Sequence, residues 1–140
     1  MTAKTSDPSG RKPWQLWTGR VLSALPVLML LMSASMKLGH KPDSVAMFVG
    51  KFGYAEGMMT GLALLEITCT LLYAIPQTAV LGAVLLTGYL GGAVATHVRV
   101  GDMATVPVVV LLGVLAWAGL FFRDPRVRAL LPLRKLGQEG

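Results

Sequence analysis

Charge is scarce in this sequence. Asp, Glu, Lys and Arg make up 14% of its 140 residues, where a water-soluble domain carries about a quarter. That is too little charge to cover a surface facing water. Histidine occurs twice, at His40 and His97, and cysteine once, at Cys69. A single cysteine excludes an intramolecular disulfide. Without a CxxC there is neither a thiol-exchange pair nor a thiolate zinc site. Cys69 reads as a small packed apolar residue. Two histidines at different segment ends do not make a metal pair, so no metal is expected. A transmembrane haem needs two histidines at matched mid-depth, and neither lies there. Also missing are a phosphate-binding Gly-rich loop, a dinucleotide-binding GxGxxG, a nucleophile elbow and an HExxH. The enzyme classes that announce themselves by those motifs find no support.

Apolar sequence is what the chain has in quantity, at 54% hydrophobic residues. It gathers into four segments, about 18–38, 55–75, 78–98 and 105–122. Each approaches the ~20 residues a helix needs to cross ~30 Å of hydrocarbon. None alternates as a barrel strand does, and only a helix otherwise satisfies its backbone in lipid. The expected fold is an all-α integral membrane four-helix bundle with antiparallel up-down topology. It would span 18–122 between a flexible basic tail, 1–17, and a second basic tail, 123–140. Ile75-Pro76-Gln77-Thr78 leaves almost no loop, so spans two and three form a tight hairpin. Pro107 falls in the first turn of span four, where a missing N–H costs little. Pro26 lies inside span one and predicts a kink.

The net charge of +6 sits at the ends of apolar runs, which fits lipid flanks and not nucleic acid. Lys4, Arg11, Lys12, Arg20, Arg123, Arg126, Arg128, Arg134 and Lys135 fall on the side of the termini. Lys37, Lys41, Lys51 and Arg99 fall on the other side. This bias places both termini in the cytoplasm of a bacterial-type inner or plasma membrane. Trp14 and Trp17 read as interfacial anchors before span one. Residues 11–35 also carry the outline of a signal peptide ending at Ser33-Ala34-Ser35. The long tract ahead of the apolar run, and the full span length of that run, favour a retained helix.

Two ladders of small residues stand out, Gly53/Gly57/Gly61 and Gly88/Gly92/Thr96. Four-residue spacing keeps each on one helix face, where backbones can approach, within one bundle or between copies of a homo-oligomer. Polar groups gather at the outer ends. Lys37 and His40 finish span one, Glu56 begins span two, and His97, Arg99 and Asp102 finish span three. His97 and Arg99 have bland roles too, at a helix dipole and as a snorkelling cation. Glu66 differs, lying about ten residues into span two, near the bilayer midplane. A charge there costs roughly 2.5–3.5 kcal/mol, and no base is counted at its depth. The expectation is a protonated or water-bonded Glu66 facing the bundle interior, with an ion pair disfavoured. Thr70 and Tyr73 share its face; Thr87 and Tyr89 lie at similar depth on span three.

The stretch LLEITCTLLYAIPQTAVLGAVLLTGYLGGAVATHVRVGD, followed by WAGLFFRDPRVRALLP, resembles the DoxX-like family of small four-span membrane proteins. The likeness covers roughly 18–133. Glu66, Pro76, the Gly-Ala-rich third span ending in His97 and Arg99, Trp117 and the Arg-Asp tail carry it. The resemblance implies a four-helix membrane bundle. Its named relatives are linked to quinone-dependent oxidation of sulfur compounds and to redox or stress-related membrane complexes. Quinone is therefore a candidate ligand by resemblance, and no catalytic motif carries over. The favoured reading is an accessory or ligand-binding subunit, not catalytic alone. Its polar pocket, opening outward, would be formed by Glu66, Tyr89, His97, Arg99, Lys37 and Glu56. It would take a quinone, lipid or small molecule, with electrons from a membrane redox partner. The alternatives are a small proton-coupled transporter or permease and a purely structural assembly factor.

Overall fold

A computed structural model describes residues 12–131, and every regular element among them is helical. In chain order these are α1 (Pro13–Leu38), α2 (Pro42–Val45), a π-helical segment (Ala46–Lys51), α3 (Met58–Ala74), α4 (Ala79–Arg99), α5 (Val106–Arg123) and α6 (Pro125–Leu130). Proline opens α1, α2 and α6 and lies in the first turn of α5. Its fixed φ suits a helix start, and its missing N–H would have no helical partner there. Pro76 acts at the other kind of boundary. It forces the preceding Ile75 out of the α region, to φ −78° and ψ 122°, and so ends α3. Pro26 is buried within α1, which is assigned as one continuous helix on either side of it.

Three helices, α1, α4 and α5, are long and apolar enough to cross a membrane; α3 is apolar but has 17 residues. The second apolar segment was expected to begin at residue 55. It begins at Met58 because residues before it belong to a different structure. Residues 39–54, read from sequence as a loop between spans, hold α2 and the π-helical segment. Gly53 then turns the chain back with φ of 74°, a conformation that costs a residue without Cβ little. The tail boundaries also shift. α1 starts at Pro13, inside the tail expected over 1–17, and α6 lies inside the tail expected after 123, with Val127 buried. The flexibility expected of residues 1–11, and the basic residues Lys4, Arg11, Arg134 and Lys135, lie outside the described residues.

α1 packs against α3 and α5, and α4 packs against the same two helices. The closest approaches are made by glycines other than those of the two ladders. A Cβ on Gly19 would lie 2.7 Å from the Arg123 nitrogen, and one on Gly119 would overlap the Ser23 hydroxyl. These two positions let α1 and α5 touch backbone to backbone. A Cβ on Gly82 would overlap the Tyr73 backbone, so Gly82 closes the α3–α4 hairpin. By contrast, a Cβ on Gly53, Gly57, Gly61, Gly88 or Gly92 would meet nothing within 4 Å. Of the two expected roles for those ladders, close contact within the bundle is therefore not what their glycines make, and contact between copies is untouched by this geometry. Spacing puts small residues on one face, but the neighbouring helix decides which face is covered. Tyr73 joins three helices at this closed end. Its buried hydroxyl donates to the Ala116 carbonyl at 2.6 Å and lies 2.8 Å from Ser23 Oγ, whose proton it can accept. Its own carbonyl accepts from Arg123 at 2.6 Å. Outside, large apolar side chains such as Leu28, Leu64, Leu111 and Val114 are exposed, a surface suited to hydrocarbon and not to water.

Gly82→Leu should destabilise the fold by about 1–3 kcal/mol, the range for overpacking a close contact. Gly88→Leu, on an open face, should change stability by less than about 0.5 kcal/mol. Thermal unfolding of both variants in one mild detergent checks the contrast.

Candidate functional site

α1 and α3 pass each other in opposite senses, since Ser23 meets Tyr73 while Lys37 meets Glu66. That crossing brings the key groups together. Helical side chains lean toward the N-terminus of their own helix. Lys37, one residue from the end of α1, therefore leans back along α1, where its ammonium donates to Ser33 Oγ at 2.8 Å. Glu66, on the oppositely running α3, leans the other way. The two meet with Lys37 Nζ 2.6 Å from Glu66 Oε2, and their side chains are 5% and 2% exposed. Tyr89 of α4 completes the cluster by accepting from Lys37 at 3.2 Å. Ser33 also lies within donating distance of Glu66 Oε2, at 3.5 Å. Thr70, on the Glu66 face, instead donates to the Glu66 backbone carbonyl at 2.7 Å.

This overturns the expectation that Glu66 has no basic partner and makes no ion pair. Counting Cα depth placed Lys37 at the membrane boundary and Glu66 a few turns away. Opposite lean and the lysine stem close that gap. The ion pair also has more than Coulomb attraction to hold it, because the three ammonium protons have three acceptors: Ser33, Glu66 and Tyr89. Phe48 adds an aromatic face 5.3 Å from Nζ.

Residues 42–57 lie over this cluster as a lid. Phe52 is buried and sets its ring edge-on to His97 at 4.9 Å. Arg99 donates to the Phe52 carbonyl, and Tyr54 bonds Thr96 at 2.8 Å. Lys51 pairs with Asp102 at 2.8 Å, and Asp102 also receives Thr105 at 3.0 Å and faces His97 Nδ1 at 3.1 Å. These contacts tie the lid to the α4 end and the α4–α5 turn. The hydrogen bond from Lys51 above all, then those from Thr105 and His97, hold the Asp102 carboxyl well below the usual carboxylate range.

Beneath the lid lies a cavity of about 750 Å³. Its polar lining includes Lys37, Glu66 and Tyr89 at depth, and Asp43, His97 and Asp102 nearer the lid. Most of the remaining wall is apolar, and Cys69, free and buried, is part of it. Of the six sequence-derived candidates, Lys37, Glu66 and Tyr89 share one cluster. His97 and Arg99 belong to the lid contacts. Glu56 joins neither: it is exposed and makes no ion pair with any described residue. It falls in the turn before α3, whose start is displaced to Met58. His40, expected at the same rim, is exposed, turned to φ of 44°, and faces the Leu38 carbonyl. Nothing in the sequence assigned a site role to the aromatic lid residues Phe48, Phe52 and Tyr54, or to Ser33, which stood out only in the Ser33-Ala34-Ser35 outline of a cleavage site. The i,i+4 spacing of Ser33 and Lys37 was the one legible signal among them. No group of three His, Cys, Asp or Glu that could hold a metal occurs among the described residues.

Lys37→Met should cost about 3–5 kcal/mol, the price of leaving a buried charge without its partner. Lys37→Met with Glu66→Leu should recover most of that loss, measured by denaturant unfolding in detergent. For the lid, the folded-state value of Asp102 lies below that of an unfolded chain. Its contribution is therefore complete above about pH 4 and is lost as pH falls further. Asp102→Asn should remove it at every pH. Hydrogen exchange across 43–55 should accelerate in that variant at neutral pH while α1 and α5 remain protected.

No curated protein and no solved structure matches the chain. A family profile does match, over residues 21–119, a stretch that holds α3, α4, the lid and most of α1 and α5. Together with its apolar helices, that match makes the chain a membrane protein belonging to the DoxX-like family.

Proposed function

We propose that this protein crosses the membrane four times and binds a small lipophilic molecule around Lys37, Glu66 and Tyr89. In this reading it serves a membrane redox or stress-related system as an accessory subunit and does not catalyse a reaction alone. One observation carries the proposal: a buried ion pair set in the otherwise largely apolar wall of a cavity of about 750 Å³. Ligand sites typically occupy ~300–1,000 Å³ and combine apolar walls with a few convergent polar groups. The length of α3 fits a fourth crossing when its lid is included, since 17 helical residues reach about 25 Å. The excess of basic residues at the terminal end supports cytoplasmic termini. A quinone is one candidate ligand, with the Tyr89 hydroxyl available to a ring oxygen. Electrons would then come from a redox partner, because the chain's own residues offer no redox centre. His97 is engaged with Phe52 and Asp102, so its role is holding the lid and not touching the ligand.

Gly88 lines the cavity with open space beside it, which makes Gly88→Phe a blocking variant. Protein purified in mild detergent should carry a lipophilic small molecule that mass spectrometry identifies, and the variant should lack it. Added quinones or lipids should raise the melting temperature of the wild type by several degrees and leave the blocked variant unmoved. Equal shifts in both proteins would count against the cavity as the binding site.

A second reading draws on the same ion pair. Ionisable residues inside a membrane often mark ion paths, so the cavity could belong to a proton-coupled transporter. Proton-driven flux in liposomes that disappears in Glu66→Gln would favour it, and absence of flux from reconstituted protein would dismiss it.

A further inference from the structure

Charge neutrality at the cavity floor selects what can bind there. Lys37 and Glu66 cancel, and every ammonium proton already has an acceptor. An anionic head group would find no free ammonium proton and would face the Glu66 carboxylate. A cationic head group would set a second positive charge beside Lys37. In a site this dry, like charges repel far more strongly than in water. What the site leaves open is uncharged chemistry. Lys37 and Ser33 both address Glu66 Oε2, and neither bonds Oε1. Tyr89 receives from Lys37, and its hydroxyl also sits against the Glu66 carboxylate without a bond of 3.5 Å or less, so a ligand oxygen placed beside it competes for that proton. One acceptor and one donor thus stand side by side on the cavity wall.

The walls describe the rest of the ligand. Met29, Met32, Leu65 and Leu85 line the cavity and are also exposed on the outer apolar surface. The cavity therefore opens sideways between helices, toward hydrocarbon, while the lid covers the other approach. A hydrocarbon chain can lie in that opening with its head at Tyr89 and Glu66.

We infer that the cavity is selective for a lipophile with an uncharged, hydrogen-bonding head group, a hydroxyl or carbonyl, and discriminates against carboxylates and amines of the same chain length. This inference rests on the cavity being a ligand site. The hydroxyl donates to Glu66 Oε1 and accepts from Tyr89; a carbonyl accepts from Tyr89 alone. The Lys37–Glu66 pair is the specificity determinant, because removing either partner leaves a net charge of known sign.

The test compares dodecan-1-ol, dodecanoate and dodecylamine at neutral pH, with full-length protein in zwitterionic nanodiscs and empty nanodiscs to correct for partitioning. Radiolabelled dodecanol should bind the wild type, and the two charged analogues should compete at least about tenfold less well. Glu66→Gln, which leaves Lys37 alone, should shift preference toward dodecanoate. Lys37→Met, which leaves Glu66 alone, should shift it toward dodecylamine. Gly88→Phe should abolish saturable binding. Tighter wild-type binding of either charged analogue, lost in Gly88→Phe, would overturn the selectivity and leave the cavity standing as a site. No saturable binding of any of the three, or binding indifferent to Gly88→Phe, would overturn the site and the selectivity together. Where a charge variant does not fold, the wild-type ranking of the three head groups still decides the question.

Discussion

The Lys37–Glu66 ion pair is the constraint around which the rest of this structure is arranged. Two charges with side chains 5% and 2% exposed carry a large desolvation cost, and mutual attraction offsets it only with good geometry and further hydrogen bonds. Ser33 and Tyr89 supply those bonds. Three helices, α1, α3 and α4, must therefore hold their relative height, because a shift of one turn would separate the charges. A hydrophobic pair would satisfy stability more simply. Polar groups kept at such a cost inside an apolar bundle point to a use beyond holding the fold.

Packing and openness are divided between the two ends of the molecule. At one end Gly19, Gly82 and Gly119 allow backbone contact, and Tyr73 and Arg123 bind α1, α3 and α5 into a dense joint. At the other end the helices leave a cavity, and a short irregular segment covers it. The dense joint sets the helix directions, so the gap at the far end persists without side chains filling it. The lid does not rely on apolar burial alone. Phe52 is buried, but the Arg99, Lys51 and Tyr54 contacts that hold the lid are polar and partly exposed. Segments held mainly by exposed polar bonds open at lower free energy than packed helices. The site thus combines a rigid floor with a cover of lower local stability.

Particular residues show what could be read in advance. Apolar run length located α1, α4 and α5, and Pro76 marked the α3–α4 turn through its effect on Ile75. Glu66 and Tyr89 drew attention for chemistry at an unusual depth, and Lys37 as a base at the outer end of span one. Their association did not, because depth was counted along the backbone while the charges sit on stems leaning in opposite directions. The glycine ladders did not mark the close contacts within the bundle for a related reason: periodicity assigns a residue to a face but carries no information about what lies opposite. Gly82 and Gly119, which belong to no ladder, make the contacts. The lid was invisible because residues 39–57 combine helix-compatible sequence with four glycines, and no period distinguishes a π-helical turn from a loop.

From the sequence alone came the helical class, the apolar segments that suit lipid, the family likeness, and the presence of one acid deep in an apolar helix. Those properties are local or additive, set by composition and by spacing along one helix. The tertiary structure alone decided that Glu66 is paired, that Lys37 is its partner, that Glu56 and His40 stand apart, and that a cavity survives beneath a lid. Each of those depends on the lean and height of one helix against another, and on space left unfilled between them. No single stretch of chain encodes either.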